Sequence, residues 1–458
     1  MTPTLPFLAA FAATLVAMIL FSLGGRRQVR SAQDFSVAGR QAGRWSVAGA
    51  IMGTLVGGAS TIGTVQLAFL YGLSAWWFTL GAGLACLFLG LFMAAPLRRG
   101  EAETIPQFIS RFYGPRPRLA ASLFSAAGMF VHIVAQLLAC GAILTSLFGL
   151  SLFQGALLSA GLVAALSLQQ GMLGAGKIGL FKLLLLYLTM VSAGLIAFIL
   201  SGGWPGLAGS FAPFPFFSLF GYGLGAGLND LLSMLVGVIS TQTYLQAIFS
   251  ARDEKAARQG ALLSAVLIPP LGLFGVAVGL FMRQSQPGLD SALALPTFLF
   301  QQFPPVFAGV AFAALLIAAL GTAAGLTLGV GTTLQVDVLS RFTWVRKHQL
   351  TTLRLTALAA LLLALLLLLV NLGSTIMAWS FLSMGLRGAT LCLPLLAALF
   401  LRERLSSPGG ALAIYLGPMV VIIAGLMPTS IPPLYLGLAA AFFALAFGPR
   451  RHRGKSFP

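Results

Sequence analysis

Long apolar runs alternate with short polar breaks along the whole chain. A helix that crosses the hydrocarbon of a bilayer needs about 20 mostly apolar residues. Runs of that kind fall near 5–23, 46–66, 74–96, 119–148, 153–172, 178–201, 219–248, 259–282, 306–336, 354–371, 374–400, 409–427 and 433–448. They predict an all-α polytopic membrane protein of about 13 crossings. The runs at 219–248 and 306–336 are long for simple spans, which predicts tilt or a break in each. The breaks are too short for a soluble domain, the longest polar insert being 283–305. A chain built this way has room for a path, a pocket or a sensor within the bilayer.

Charge orients these spans. Of 458 residues, 58% are apolar and 8% charged, against about 25% charged in a soluble domain. All but two of the 27 Lys and Arg form seven clusters at span ends: Arg26/Arg27/Arg30/Arg40/Arg44, Arg98/Arg99/Arg111/Arg116/Arg118, Lys177/Lys182, Arg252/Lys255/Arg258, Arg341/Arg346/Lys347/Arg354, Arg402/Arg404 and Arg450/Arg451/Arg453/Lys455. The exceptions are Arg283, in an external loop, and Arg387, inside a span. The alternate connections, near Gly149–Leu152, Ser201–Phe217, Asn371–Ser374 and Thr429–Pro433, carry no basic residue. Retention of basic residues on the cytoplasmic side therefore predicts a cell-membrane protein with its N-terminus outside and its C-terminus inside. It also accounts for the net charge of +18 without nucleic acid, for which no basic and aromatic surface is visible. Cys86, Cys140 and Cys392 lie in apolar runs without paired spacing, so neither a disulfide framework nor a metal cluster is expected. The run Leu5–Leu23 has no basic region before it and no clear cleavage site after it, and reads as a retained helix.

Some residues fit poorly in lipid. The second run contains GTLVGGASTIGT, Gly53 to Thr64. Its glycines either let helices pack closely or break the helix so that freed carbonyls bind an ion. The same choice holds for Gly321, Thr322, Gly325, Thr327, Gly329, Gly331, Thr332 and Thr333. Asp230 and Arg387 are the only formal charges expected within the hydrocarbon, where an ionised group marks a functional site by default. Arg387 either holds an anionic solute or supports carbonyls or Asp230; Asp230, nearer the external end, either acts or reaches for the interface. His132 reads as a packing residue. No nucleotide loop, HExxH or GxSxG pattern is present, so an enzyme is not expected and no organic cofactor is implied.

Five segments in order resemble the sodium:solute symporter family over roughly 33–445: DFSVAGRQAG at 34–43, STIGTVQLAFLYGLSAWWF at 60–78, ETIPQFISRFYG at 103–114, TQTYLQAIFSARDEKAARQGALL at 241–263, and ALPTFLFQQFPP with AALGTAAGLTLGVGTTLQVDVLSR within 294–341. The resemblance implies a LeuT-like core of two five-helix repeats in inverted orientation, each opening with a discontinuous helix. On that reading residues 1–24 hold a leading helix, 45–201 the first repeat, 218–400 the second, and 401–458 two trailing helices and a basic cytoplasmic tail.

The resemblance further implies a Na⁺ site from carbonyls of Gly53 and Val56 on the first core helix and from Ala318, Gly321 and Thr322 on the eighth. The chain departs from the family at Gly321, where a second hydroxyl is usual. A proton-coupled carrier of the same fold is therefore the alternative. Ser60, Thr61, Gln66, Thr241, Gln242 and Arg387 are the pocket residues it suggests, and Arg387 favours a carboxylate-bearing solute over a neutral sugar. The expected function is Na⁺-coupled symport of a small organic solute by alternating access, with solute, Na⁺ and lipid as partners. The rival from another class is a transporter-like membrane sensor, which would need a separate signalling partner.

Overall fold

The computed structural model describes residues 3–23, 37–167, 172–370, 375–401, 407–427 and 431–448. The clusters Arg26/Arg27/Arg30, Arg402/Arg404 and Arg450/Arg451/Arg453/Lys455, and the external connection at 371–374, lie outside the described residues.

Among the described residues every named element is helical, and one isolated parallel bridge joins Ala42 to Ala251. In chain order the main helices are α1 (Leu5–Leu23), α2 (Arg44–Leu55), α3 (Thr64–Tyr71), α4 (Trp77–Phe88), α5 (Ile105–Tyr113), α6 (Pro115–Phe148), α7 (Leu152–Ser167), α8 (Met172–Leu200) and α9 (Leu224–Val238). They continue as α10 (Gln242–Phe249), α11 (Glu254–Leu267), α12 (Pro269–Ser285), α13 (Ala294–Gln302), α14 (Pro305–Thr333), α15 (Gln349–Val370), α16 (Ile376–Phe400), α17 (Ser407–Gly425) and α18 (Pro433–Phe447).

The all-α membrane fold is thus as expected, but the count of 13 spans is not reproduced. Among the described residues nine helical stretches are long and apolar enough to cross a membrane, and three shorter apolar helices accompany them. The difference arises where apolar runs and helices do not coincide. The second predicted span is two helices, α2 and α3, while the stretch from Ala59 to Arg99 joins the rest of it to the third.

The two long runs behave differently. Residues 219–248 are broken between α9 and α10, where Thr241 has extended dihedrals (φ −90°, ψ 123°). Residues 306–336 form an unbroken α-helix through Thr333, followed by a wider turn at Leu334–Val338. So the opening helices of both expected repeats are discontinuous, and the eighth core helix is not.

Polar termini explain where several helices begin. Thr104 and Asp253 accept the backbone N–H groups of Gln107 and Ala256, which satisfies donors that the first turn leaves free. Helix α6 ends at Gly149, whose φ of 63° and ψ of 18° suit a residue without Cβ. In the core α14 packs against α6, α1, α8 and α2, α8 lies along α2, and α16 crosses α6 and α9. Two basic clusters meet on one side: Arg98 donates to the Ala251 carbonyl, and Arg99 pairs with Glu254 at 2.6 Å. The expected cytoplasmic face is consistent with that grouping.

Candidate functional site: a helix break against α8 and α14

Helix α2 stops at Val56, whose φ of −86° and ψ of 98° are extended, and its N–H bonds back to Met52 O. The chain then passes Gly57 and Gly58 and resumes in a wide turn at Ala59–Gly63, closed by Gly63 N–H to Gly58 O at 2.9 Å. A break frees backbone groups that must be satisfied in a water-poor interior. Here Ser60 Oγ accepts the Gly57 N–H at 2.8 Å, Thr61 Oγ1 donates to Gly57 O at 2.9 Å, and Gln136 Oε1 of α6 accepts the Gly58 N–H at 2.8 Å. Of the two readings of GTLVGGASTIGT, the broken helix is the one the structure adopts. Ser60 and Thr61 are fully buried and bonded to the break itself.

The oxygen set expected for a cation is assembled. Thr322 Oγ1 lies 3.4 Å from Gly53 O and 3.3 Å from Val56 O, so α14 and the end of α2 meet face to face. The set already holds a cationic group. Lys182 Nζ, from α8, donates to Gly53 O at 2.6 Å, Ala318 O at 2.8 Å and Thr322 Oγ1 at 2.9 Å. An ammonium has three N–H donors, and all three are used on neutral oxygens. Lys182 is 1% exposed.

This corrects the sequence reading twice. Lys182 does not stand with Lys177 as a surface charge at a span end, and Asp230 and Arg387 are not the only charges among the buried helices. Gly179 explains the geometry: it lies one turn before Lys182, and a Cβ there would collide with Gly49 O, so α8 can lie directly on α2. The signal was present in the run KIGLFK, where a second lysine five residues into an apolar helix is one turn too deep for its interface.

Gly321, the departure from the family pattern, faces this lysine. A Cβ there would approach Lys182 Cδ and Nζ at 3.6 and 3.7 Å. The missing hydroxyl and the added ammonium occupy adjoining space. As a test of fit, the oxygen set suits a monovalent cation, but Na⁺ cannot take the same point while Nζ bonds three of its oxygens.

The remaining candidates are dispersed. Gln66 Oε1 accepts the Ile376 N–H at 3.4 Å, tying α3 to the start of α16. Thr241 donates to Gly237 O, and Gln242 braces the segment before α5, donating to Glu103 O and accepting from Ile105 N–H. Arg387 is fully buried: Nε donates to Ser383 O at 3.1 Å, Nη2 donates to Ser383 Oγ at 2.9 Å and lies 3.3 Å from His132 Nδ1. It does not pair with Asp230, whose Oδ2 accepts from Tyr222 OH at 2.5 Å. Asp230 and Tyr222 instead line a cavity of about 540 Å³ with Tyr71, Asn229, Ser233 and Phe381, between α3, α9 and α16.

Comparison with known proteins defines the class. Residues 35–215 match the sodium:solute symporter family, and the family resemblance read from the motifs is borne out there. The whole chain superposes on solved transporters of LeuT-like fold. A Na⁺-coupled sialic acid symporter, substrate-bound and outward-open, covers 99% of this chain and all of its own at a TM-score of 0.81 and 17% identity. MhsT in complex with L-phenylalanine covers 88% of this chain and 98% of its own (TM-score 0.57, 16% identity). Mhp1, a nucleobase-cation-symport-1 family transporter, covers 90% of this chain and 93% of its own (TM-score 0.53, 14% identity). At these identities the likeness establishes the fold alone. Among curated proteins, no sequence matches this chain.

Proposed function

We propose that this protein is a secondary active transporter, a symporter that imports a small organic solute by alternating access. The observation that carries the reading is the break in the first core helix, with its freed carbonyls facing α14. In carriers with inverted repeats, solute and coupling ion bind at such discontinuities while one bundle rocks against the other. Residues 45–201 and 218–400 are the proposed repeats, and each opens with a broken helix. Na⁺ as the coupling ion is supported by the match at 35–215. A proton-coupled carrier of the same fold is the second reading, favoured by the Lys182 ammonium among the oxygens of Gly53, Ala318 and Thr322. A carboxylate-bearing solute is supported by Arg387, whose partners are Ser383, Met384 and His132. Ser60, Thr61, Gln66, Thr241 and Gln242 remain proposed pocket residues only in so far as their bonds to the backbone open during transport.

The experiment is uptake into sealed vesicles containing purified protein. Carboxylates, amino acids and sugars are scanned under an inward Na⁺ gradient, a proton gradient or neither. Accumulation of one solute class against its gradient supports the carrier. If every solute equilibrates no faster than in protein-free vesicles, the carrier reading fails and the sensor gains.

A further inference from the structure

We infer that the Lys182 ammonium is a tethered cation that permanently fills the seat formed by Gly53, Ala318 and Thr322, so that this seat binds no Na⁺. The inference rests on the carrier reading only for its consequence, namely that any dependence of uptake on Na⁺ must arise elsewhere in the chain.

Three observations combine. First, the seat is built from neutral oxygens: two main-chain carbonyls, one of them from the last turn before the helix break, and one hydroxyl. Such a set stabilises a single positive charge without titrating a partner. Second, the ammonium satisfies all three of its donors there, at 2.6, 2.8 and 2.9 Å. Hydrogen bonds from an ionised donor are the stronger kind, and a free ion must displace all three at once. Third, neighbouring positions are shaped for the tether. Gly179 brings α8 against α2, and Gly321 leaves open the side where a larger residue would crowd Nζ. A lysine here by chance would not meet room on both sides and a partner for each proton.

The tether also changes the energetics of rocking. A free ion leaves when the seat opens and must be rebound, losing its freedom each time. An ammonium on α8 stays within reach of its oxygens, so opening costs hydrogen bonds but no ion. Separation of α8 from α2 and α14 then becomes a movement of this side chain off its three acceptors.

The test uses the metal alone. Radioactive Na⁺ binding is measured on purified protein in detergent, with choline replacing Na⁺ at constant ionic strength, for the parent, Lys182→Ala, Lys182→Gln and Lys182→Ala/Thr322→Ala. Only variants that elute as single species with cooperative melting are compared. We expect no saturable Na⁺ binding in the parent. At least one neutral variant should gain it, at an affinity at least about tenfold tighter, since each charge-assisted bond lost with the ammonium is worth about 1.5–3 kcal/mol. The added Thr322→Ala should abolish the gain. Saturable binding in the parent that Thr322→Ala removes would overturn the inference. So would two folded neutral variants that both fail to bind. Neither result depends on uptake, so failure here is distinguishable from failure of the carrier reading.

Discussion

The side-chain carbonyl of Gln136 accepts the backbone N–H of Gly58 at 2.8 Å, across the gap between α6 and the break in the first core helix. A main-chain donor freed by the break is thereby satisfied from a different helix. Local hydroxyls from Ser60 and Thr61 could not do this alone, because both already bond Gly57.

Gln136→Leu keeps the volume and removes the acceptor. A buried donor left unsatisfied costs about 1–3 kcal/mol, so the variant should melt several degrees below the parent in detergent. Equal melting temperatures would show that the break holds without this bond.

Arg387 fits between α6 and α16 because residue 128 has no side chain. A Cβ on Gly128 would collide with Arg387 Cγ. Gly128→Val should therefore destabilise by about 1–3 kcal/mol, the usual cost of overpacking. Adding Arg387→Ala should recover part of the loss, with a coupling of at least about 0.5 kcal/mol in a double-mutant cycle. Strict additivity would mean that the two positions do not compete for space.

Asp253, in the connection before α11, accepts the Ala256 N–H at 2.7 Å and pairs with Arg252. The backbone donor first, and then the guanidinium, hold its carboxyl below the ordinary carboxylate range. A depressed carboxyl stabilises the fold above its unfolded-state value, and that contribution disappears as pH falls through the folded value. Asp253→Ala should accordingly melt below the parent at neutral pH, and the gap should close under strongly acidic conditions. A gap independent of pH would assign the effect to something other than the ionised cap.

Much of the architecture was legible beforehand because lipid imposes it. Each span must satisfy its own backbone bonds, so apolar runs became helices. The motifs at 34–43, 60–78 and 103–114 fall within the stretch that matches the symporter family. The adjacent glycines at 57 and 58, with Ser60 and Thr61 behind them, marked a break that does form. Counting was weaker, since a hydropathy run does not record where a helix bends. The break at Ile239–Thr241 falls inside one run, and Pro269 opens a separate helix inside another.

The sequence alone determined the helical membrane fold, the sidedness pattern of its charges and the oxygens of Gly53, Val56, Ala318 and Thr322 as one cation seat. The tertiary structure decided what sits there. Lys182 is 129 residues from Gly53 and 140 from Thr322, and in one dimension it joins a basic span end. Only when Gly179 lets α8 rest on α2 does its ammonium reach all three acceptors, because close helix packing and not chain proximity sets which polar groups meet inside a bilayer.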